Sequence, residues 1–310
     1  MTKVFIDGSA GTTGLRIYDR LSSRRDIELI SLAEDKRKDV EARKSAINAA
    51  DVVFLCLPDA AAIEAAALCE NDNTVIIDTS TAHRVADGWT YGFAEVNGLK
   101  DKIAHSGRIA NPGCHASGFV SLIAPLVSAG LIDKDEKLSC FSLTGYSGGG
   151  KKMIADYEDE DRFEYLLAPR MYGLTQMHKH LPEMAKVCSL NSMPLFSPIV
   201  SSYYAGMQVT VPLFMSQVKG SIKDICEVYK NTYTGKVVYF EENADDAGFI
   251  GAGGFAGRDD MQISLFGNDE RITLVSRFDN LGKGASGAAI QNMNIVLGIS
   301  ETEGLWLGGK

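Results

Sequence analysis

The chain has 310 residues, 45% of them hydrophobic, enough for one large or two medium domains, each with its own core. Its formal charge of -9 argues against nonspecific nucleic-acid binding, which needs a basic face. No apolar run reaches the roughly 18 to 20 residues of a membrane span, so no membrane partner is expected.

The N-terminal run MTKVFIDGSAGTTG passes directly into a strand and a glycine loop, without the basic and apolar regions of a secretory leader. Lys3 to Ile6 is strand-like, and residues 12 to 22 form a helix with Leu15, Tyr18 and Leu21 on one face. A strand follows over Glu28 to Leu32, a helix over Val40 to Ala50, and a doubly buried strand over Asp51 to Leu57. An alanine-rich helix, Ala60 to Leu68, and another buried strand, Thr74 to Asp78, complete a βαβ alternation. The spacing predicts a Rossmann-like, doubly wound parallel sheet over residues 1–112. Past residue 112 the texture changes. A helix from Ala116 to Ala129 contains Pro125, a potential kink. Strand candidates then recur at 137–143, 197–202, 207–211, 237–240, 262–266 and 271–276 with few helices between them. This predicts an α+β domain over 113–285 with a mostly antiparallel sheet. A last helix starting near Gly287 is expected to return to the first domain, which it completes over 286–310.

Gly8-Ser9-Ala10-Gly11-Thr12-Thr13-Gly14 ends a strand and opens a helix, the setting a dinucleotide pyrophosphate requires. Its spacing is G-x-x-G-x-x-G. At the end of the second strand, Ser31 and Arg37 favour a 2′-phosphate, while Glu34 and Asp35 are the type that binds a 2′-hydroxyl. NADP and NAD both stay open on these residues.

Asn111-Pro-Gly-Cys114 places a cysteine where a helix begins, and the unpaired N–H groups there favour a thiolate and an oxyanion. The other five cysteines show no C-x-x-C spacing and read as buried thiols of a reducing cytoplasm. His178-Lys-His180-Leu-Pro-Glu183 is a compact pair of histidines ahead of a helix; no third metal ligand is evident nearby, and metal-binding and structural readings both stay open on spacing. His115 reads as an outward helix residue, and His83 and His105 carry no signal. Gly145-x4-Gly150-Lys151 imitates a P-loop, but Lys152 stands where a magnesium-binding Ser or Thr would be, so nucleotide hydrolysis is rejected.

Taken together, GSAGTTG at 8–14, FLCLPD at 54–59, DTSTAHR at 78–84, YGFAEVN at 91–97, NPGC at 111–114, GYSGGGK at 145–151, GLTQMHKHLPEM at 173–184 and NLGKGASGAAIQNMN at 280–294 resemble the shorter type of N-acetyl-gamma-glutamyl-phosphate reductase, a relative of aspartate-semialdehyde dehydrogenase. The resemblance implies an NADPH-dependent reduction of an acyl phosphate to a semialdehyde in arginine biosynthesis, in a cytoplasmic homodimer or homotetramer. It implies Cys114 as nucleophile and His178 or His180 as its acid/base partner. Pro58, Ser80, Gly284 and Asn294 join the implied cofactor set. The implied substrate is anionic at both ends, which makes Arg84, Lys151 and Arg170 candidate ligands, with Asn111 and Ser117 beside them. An aspartate-semialdehyde dehydrogenase-like enzyme, a thiol hydrolase without cofactor and a non-catalytic NADP sensor stay as rival readings.

Overall fold

Short apolar strands alternating with helices wind into a six-stranded parallel sheet: β1 (Thr2–Asp7), β2 (Ile27–Ile30), β3 (Val52–Leu55), β4 (Val75–Asp78), β5 (Thr90–Tyr91) and β6 (Arg108–Ala110). The strand order is β2-β1-β3-β4-β6-β5. The helices are α1 (Thr12–Ser22), α2 (Val40–Ala49), α3 (Asp59–Ala67) and α4 (Leu99–Ala104). All of β3 is buried, as its apolar run requires between two covered faces. The order reverses at β1, so the crevice beyond the carboxyl ends of β1 and β3 is the ligand position of such a sheet. This computed structural model describes residues 1–308, and residues 1–94, 98–112 and 285–305 make up the first of its two compact units. One expectation needs correction. The buried face of α1 is Gly14, Ile17 and Leu21, while Leu15 and Tyr18 are exposed. Leu21 is common to both readings, and the packed stripe runs back from it through small or β-branched residues where helix and sheet approach closely.

The second unit holds residues 95–97, 113–284 and, among the described residues, 306–308. Trp306 exchanges two hydrogen bonds with Asp259: its N–H donates to Asp259 Oδ2 and its carbonyl accepts from the Asp259 N–H. In chain order the elements are α5 (Cys114–Ser128), β7 (Ser139–Gly145), α6 (Gly150–Glu158), β8 (Arg170–Met171), α7 (Leu181–Val187), β9 (Leu195–Ser201), β10 (Met207–Phe214), α8 (Ile222–Thr232), β11 (Val238–Phe240), β12 (Met261–Gly267) and β13 (Arg271–Phe278). The seven strands are ordered β11-β12-β13-β10-β7-β9-β8. Four of the six pairings are antiparallel, and β11 with β12 and β7 with β9 are parallel. Met207, Val209, Val211 and Leu213 are buried on one face of β10, and their neighbours point away from it. On that opposite face Phe141, Leu195, Phe214 and Met171 are exposed. The last helix, α9 (Gly287–Val296), belongs to the first unit.

Helix α5 is buried from His115 to Val127 and continues through Pro125. Proline has no N–H for the carbonyl four residues back, which here is that of Ser121. The Tyr233 hydroxyl donates to that carbonyl, and Tyr229 donates to the neighbouring carbonyl of Leu122 at 2.7 Å. The gap left by the proline is therefore filled by a side chain from the segment that ends α8.

Candidate active site

In the first unit the glycines of the first βα turn divide into two kinds. A Cβ on Gly8, whose φ is +89°, would lie 2.3 Å from the Cys56 carbonyl oxygen, and one on Gly14 would lie 2.4 Å from that of Gly8. Both glycines are required by the chain's own packing. A Cβ on Gly11 would meet nothing closer than 3.4 Å. Gly11 nonetheless stands at the N-cap of α1 with no side chain capping it and no acidic residue in the first turn. A bare, uncapped helix N-terminus beside small residues is the cradle a pyrophosphate needs, so the residues fit a dinucleotide. Cys56 lies against Gly8 and leads to Pro58, the exposed N-cap of α3. Ser31 and Arg37 are exposed after β2.

At the end of β4, Asp78 is fully buried and accepts from the Ser80 hydroxyl at 2.7 Å, from the Ser80 N–H at 2.9 Å and pairs with His83 Nδ1 at 2.6 Å. The His83 ring stacks on Trp89 at 3.9 Å. Ser80 is thus engaged in shaping this turn. Arg84 donates from Nε to the Asn111 carbonyl at 3.0 Å and from a terminal nitrogen to that of Thr79 at 3.2 Å. It braces the end of the first unit's chain at Asn111 and Pro112.

In the second unit Cys114 is the first residue of α5, capped by no side chain at Gly113. The first-turn N–H groups favour negative charge on its sulfur. By contrast burial pushes the Cys56 thiol up to about 12 and raises those of Cys140 and Cys188 further, so these are inert. Three imidazoles gather around His115, the residue after Cys114. The centroid of His115 is 5.7 Å from that of His178 and 5.5 Å from that of His180, and the last two are 4.7 Å apart. The His180 N–H donates to His178 Nδ1 at 3.2 Å. Glu183, buried on α7, accepts from the Gly113 N–H at 3.2 Å and has its other oxygen 3.8 Å from His180 Nε2. One carboxylate thus ties the turn before Cys114 to the histidine segment. Gly284 completes the packing, for a Cβ there would lie 2.9 Å from the Cys114 Cβ. Among the described residues no group of three or more His, Cys, Asp or Glu is arranged to hold a metal ion.

Several candidates are placed differently from the sequence reading. His115 is not outward: it is 3% exposed, with Nδ1 2.6 Å from Ser142 Oγ and Nε2 2.6 Å from the Tyr172 hydroxyl. Asn294 accepts from Arg24 at 2.8 Å and donates to the carbonyls of Glu301 and Glu303, so its amide ties α9 to the segment after it and to Arg24. Asn111 donates to the Ala285 carbonyl at 2.9 Å and accepts from Asn292 at 3.2 Å, which fixes its loop and leaves the side chain committed. Lys151 is exposed on the first turn of α6. Arg170 lies over the rings of Tyr157 and Tyr165 and donates to the Tyr157 hydroxyl at 3.1 Å. Ser117 is fully buried one turn beyond Cys114.

Comparison with known proteins places this geometry. A family model described as the semialdehyde dehydrogenase NAD binding domain matches residues 3–105, and the semialdehyde dehydrogenase dimerisation domain matches residues 114–280. Proteins named N-acetyl-gamma-glutamyl-phosphate reductase from Brucella ovis and Brucella melitensis are 46% identical over 307 residues, covering 96% of this chain and 99% of theirs. The chain belongs to the N-acetyl-gamma-glutamyl-phosphate reductase family. The fold is shared with the aspartate semialdehyde dehydrogenase II of Vibrio cholerae, at a TM-score of 0.71 and 16% identity over 96% of this chain and 98% of that one. The aspartate semialdehyde dehydrogenase of Candida albicans, solved with NADP, gives 0.68 at 14% identity over 96% and 98%.

Within this reductase family fold, the sequence reading missed Tyr172, His115, Glu183 and a buried ion pair. Lys283 is wholly buried between two glycines and holds both Glu95 carboxylate oxygens at 2.8 Å. The YGFAEVN and NLGKGASG segments that supply this pair were visible in the sequence, but nothing in either predicted that they meet. For His115 a signal did exist. The run Ala116 to Val127 is apolar around its whole circumference, and a helix of that kind has no outward face.

Proposed function

We propose that this chain reduces N-acetyl-gamma-glutamyl phosphate to N-acetylglutamate 5-semialdehyde and phosphate, with Cys114 as nucleophile and NADPH as hydride donor, in arginine biosynthesis. The observation that carries the reading is Cys114 at the uncapped start of α5, followed by His115 whose ring clusters with His178 and His180, in a chain 46% identical along 96% of its length to proteins of that name. The Cys114 thiolate attacks the acyl carbon, the S–C bond forms, and the C–O bond to phosphate breaks to leave a thioester. When bound, the reduced nicotinamide would supply the hydride to the thioester carbon, and cleavage of the C–S bond then frees the semialdehyde and restores the Cys114 thiolate. First-turn N–H groups of α5 hydrogen-bond to the oxygen that gains charge at each step. We assign proton exchange with the thiol and the departing phosphate to His178, the half-buried ring of the pair. His180, buried against Glu183, holds His178 by Nδ1, leaving Nε2 as the working edge.

The cofactor reading rests on the Gly11 cradle and on Ser31 and Arg37 after β2. A homodimer is supported by the apolar face of the seven-stranded sheet that carries Phe141, Leu195 and Phe214, in the part matched as a dimerisation domain. No helix among the described residues is long and apolar enough to cross a membrane, and a cytoplasmic location is proposed with the pathway. The test is the reverse reaction, in which N-acetylglutamate semialdehyde, inorganic phosphate and NADP are followed by absorbance of the reduced cofactor. Phosphate-dependent reduction is expected, with aspartate semialdehyde and NAD as poorer comparators. Preference for aspartate semialdehyde would move the chain to the sister activity, and tight NADP binding without turnover would make it a sensor.

A further inference from the structure

The mechanism above gives no role to the two hydrogen bonds of His115. Ser142 Oγ lies 2.6 Å from its Nδ1 and the Tyr172 hydroxyl 2.6 Å from its Nε2. The ring is buried, and burial together with the charge of His178 pulls its pKa down to about 3. It is therefore neutral, with one N–H and one lone pair, and each hydroxyl must take the complementary role. Two arrangements are possible. In the first, Nδ1–H donates to Ser142 and Nε2 accepts from Tyr172. Ser142 is wholly buried on β7, and His115 is its hydroxyl's partner, so its hydrogen would then face no acceptor. A buried hydroxyl hydrogen without an acceptor costs about 1–3 kcal/mol. In the second, Ser142 donates to Nδ1 and Nε2–H donates to the Tyr172 oxygen. Every buried hydrogen is then satisfied, and the Tyr172 hydrogen is turned away from His115. Tyr172 is only partly buried and its ring centroid is 5.8 Å from that of His178; burial first, and then the charge of Cys114, raise its pKa, so it keeps its proton.

We propose that Ser142 and His115 are positioning residues that fix Tyr172 as a hydrogen-bond donor to the substrate oxygen at Cys114. As the thiolate adds to the carbonyl, the C=O electron pair moves onto oxygen, and Tyr172 O–H stabilises that oxyanion without giving up its proton. Tyr172 is then a catalytic residue of the reaction proposed above, and this assignment rests on that reading.

Two measurements test it. The first needs no substrate: 15N chemical shifts of the whole chain labelled at its histidines give the His115 tautomer. A neutral ring protonated on Nε2 from pH 5 to 8 is expected; protonation on Nδ1, or an imidazolium in that range, overturns the proposal. The second is kinetic. Tyr172→Phe should lower kcat by on the order of 100-fold, as loss of an oxyanion donor does, with KM little changed. His115→Leu, which fills the space without a donor, should match that loss. His115→Gln keeps an N–H near the Nε2 position and should recover most of it. The double variant that combines His115→Leu with Tyr172→Phe should be no worse than either single one. Equal activity of the Gln and Leu variants, or additive losses, would show that His115 merely fills space. If the wild-type chain fails to turn over the acetylated substrate, the activity assignment falls while the tautomer still decides the relay.

Discussion

Gly284→Ala tests how closely the loop before α9 fixes the nucleophile. The new Cβ would lie 2.9 Å from the Cys114 Cβ, 3.0 Å from the Asp279 carbonyl oxygen and 3.3 Å from the Phe278 ring. Two of these are main-chain or Cβ atoms that cannot swing away. Carbon atoms pack at about 3.5–4.0 Å, so the new Cβ and that of Cys114 must separate by roughly 0.6–1 Å. A nucleophile displaced on that scale loses on the order of 10- to 100-fold in kcat/KM, about 1.4–2.7 kcal/mol of transition-state stabilisation. Overpacking also costs about 1–3 kcal/mol of stability, so activity is measured well below the melting temperature. The assay is phosphate-dependent NADP reduction with N-acetylglutamate semialdehyde, beside a direct titration of NADP binding. A folded variant that binds NADP normally yet loses turnover locates the loss at Cys114. A folded variant with wild-type kcat/KM would refute the claim that Gly284 sets the position of Cys114.

Tyr233→Phe strips the Ser121 carbonyl of the donor that Pro125 denies it and should cost about 1–3 kcal/mol in denaturant unfolding. In a Pro125→Ala background the helix supplies its own N–H, so the loss should shrink; equal losses in both backgrounds would contradict this account. Gly11→Ala should weaken NADP binding about tenfold or more, with the fold intact, by crowding the cradle. Gly14→Ala should instead destabilise the first unit, because its Cβ strikes a backbone oxygen; the two variants behaving alike would remove the distinction. The neutral burial of His115 gives an acid-limb prediction. Its folded pKa of about 3 lies below an unfolded value near 6.5, so the unfolded chain binds the extra proton. That contribution is complete above pH 6.5 and falls by about 1.4 kcal/mol per pH unit below it. His115→Gln should flatten stability between pH 4 and 6, and an unchanged slope would show that another group controls it.

The first sheet was legible because strands buried on both faces are apolar throughout, and a glycine turn between strand and helix is built for a phosphate. The packing face of α1 was misjudged because Leu15 and Tyr18 are large, whereas the contact with the sheet demands small residues such as Gly14. In the second unit the strands were legible by alternation, but their pairing was not, since β7 runs parallel to β9 only after a long excursion through α6 and α7. Cys114 and the two histidines were singled out through local motifs. The groups that arrange them were not, because Tyr172 with His115, Glu183 with Gly113, and Lys283 with Glu95 are contacts between distant segments. Asn111 and Asn294, singled out for their motifs, also hold hydrogen bonds to distant segments that the motifs did not foretell.

The most direct test of the central claim is to mix the enzyme with N-acetylglutamate semialdehyde and NADP without phosphate, then follow NADPH and protein mass together. The account predicts a burst of one NADPH per site, an acyl adduct on Cys114 that phosphate releases, and neither signal in Cys114→Ser. Steady turnover without phosphate, or an adduct on another residue, would contradict it.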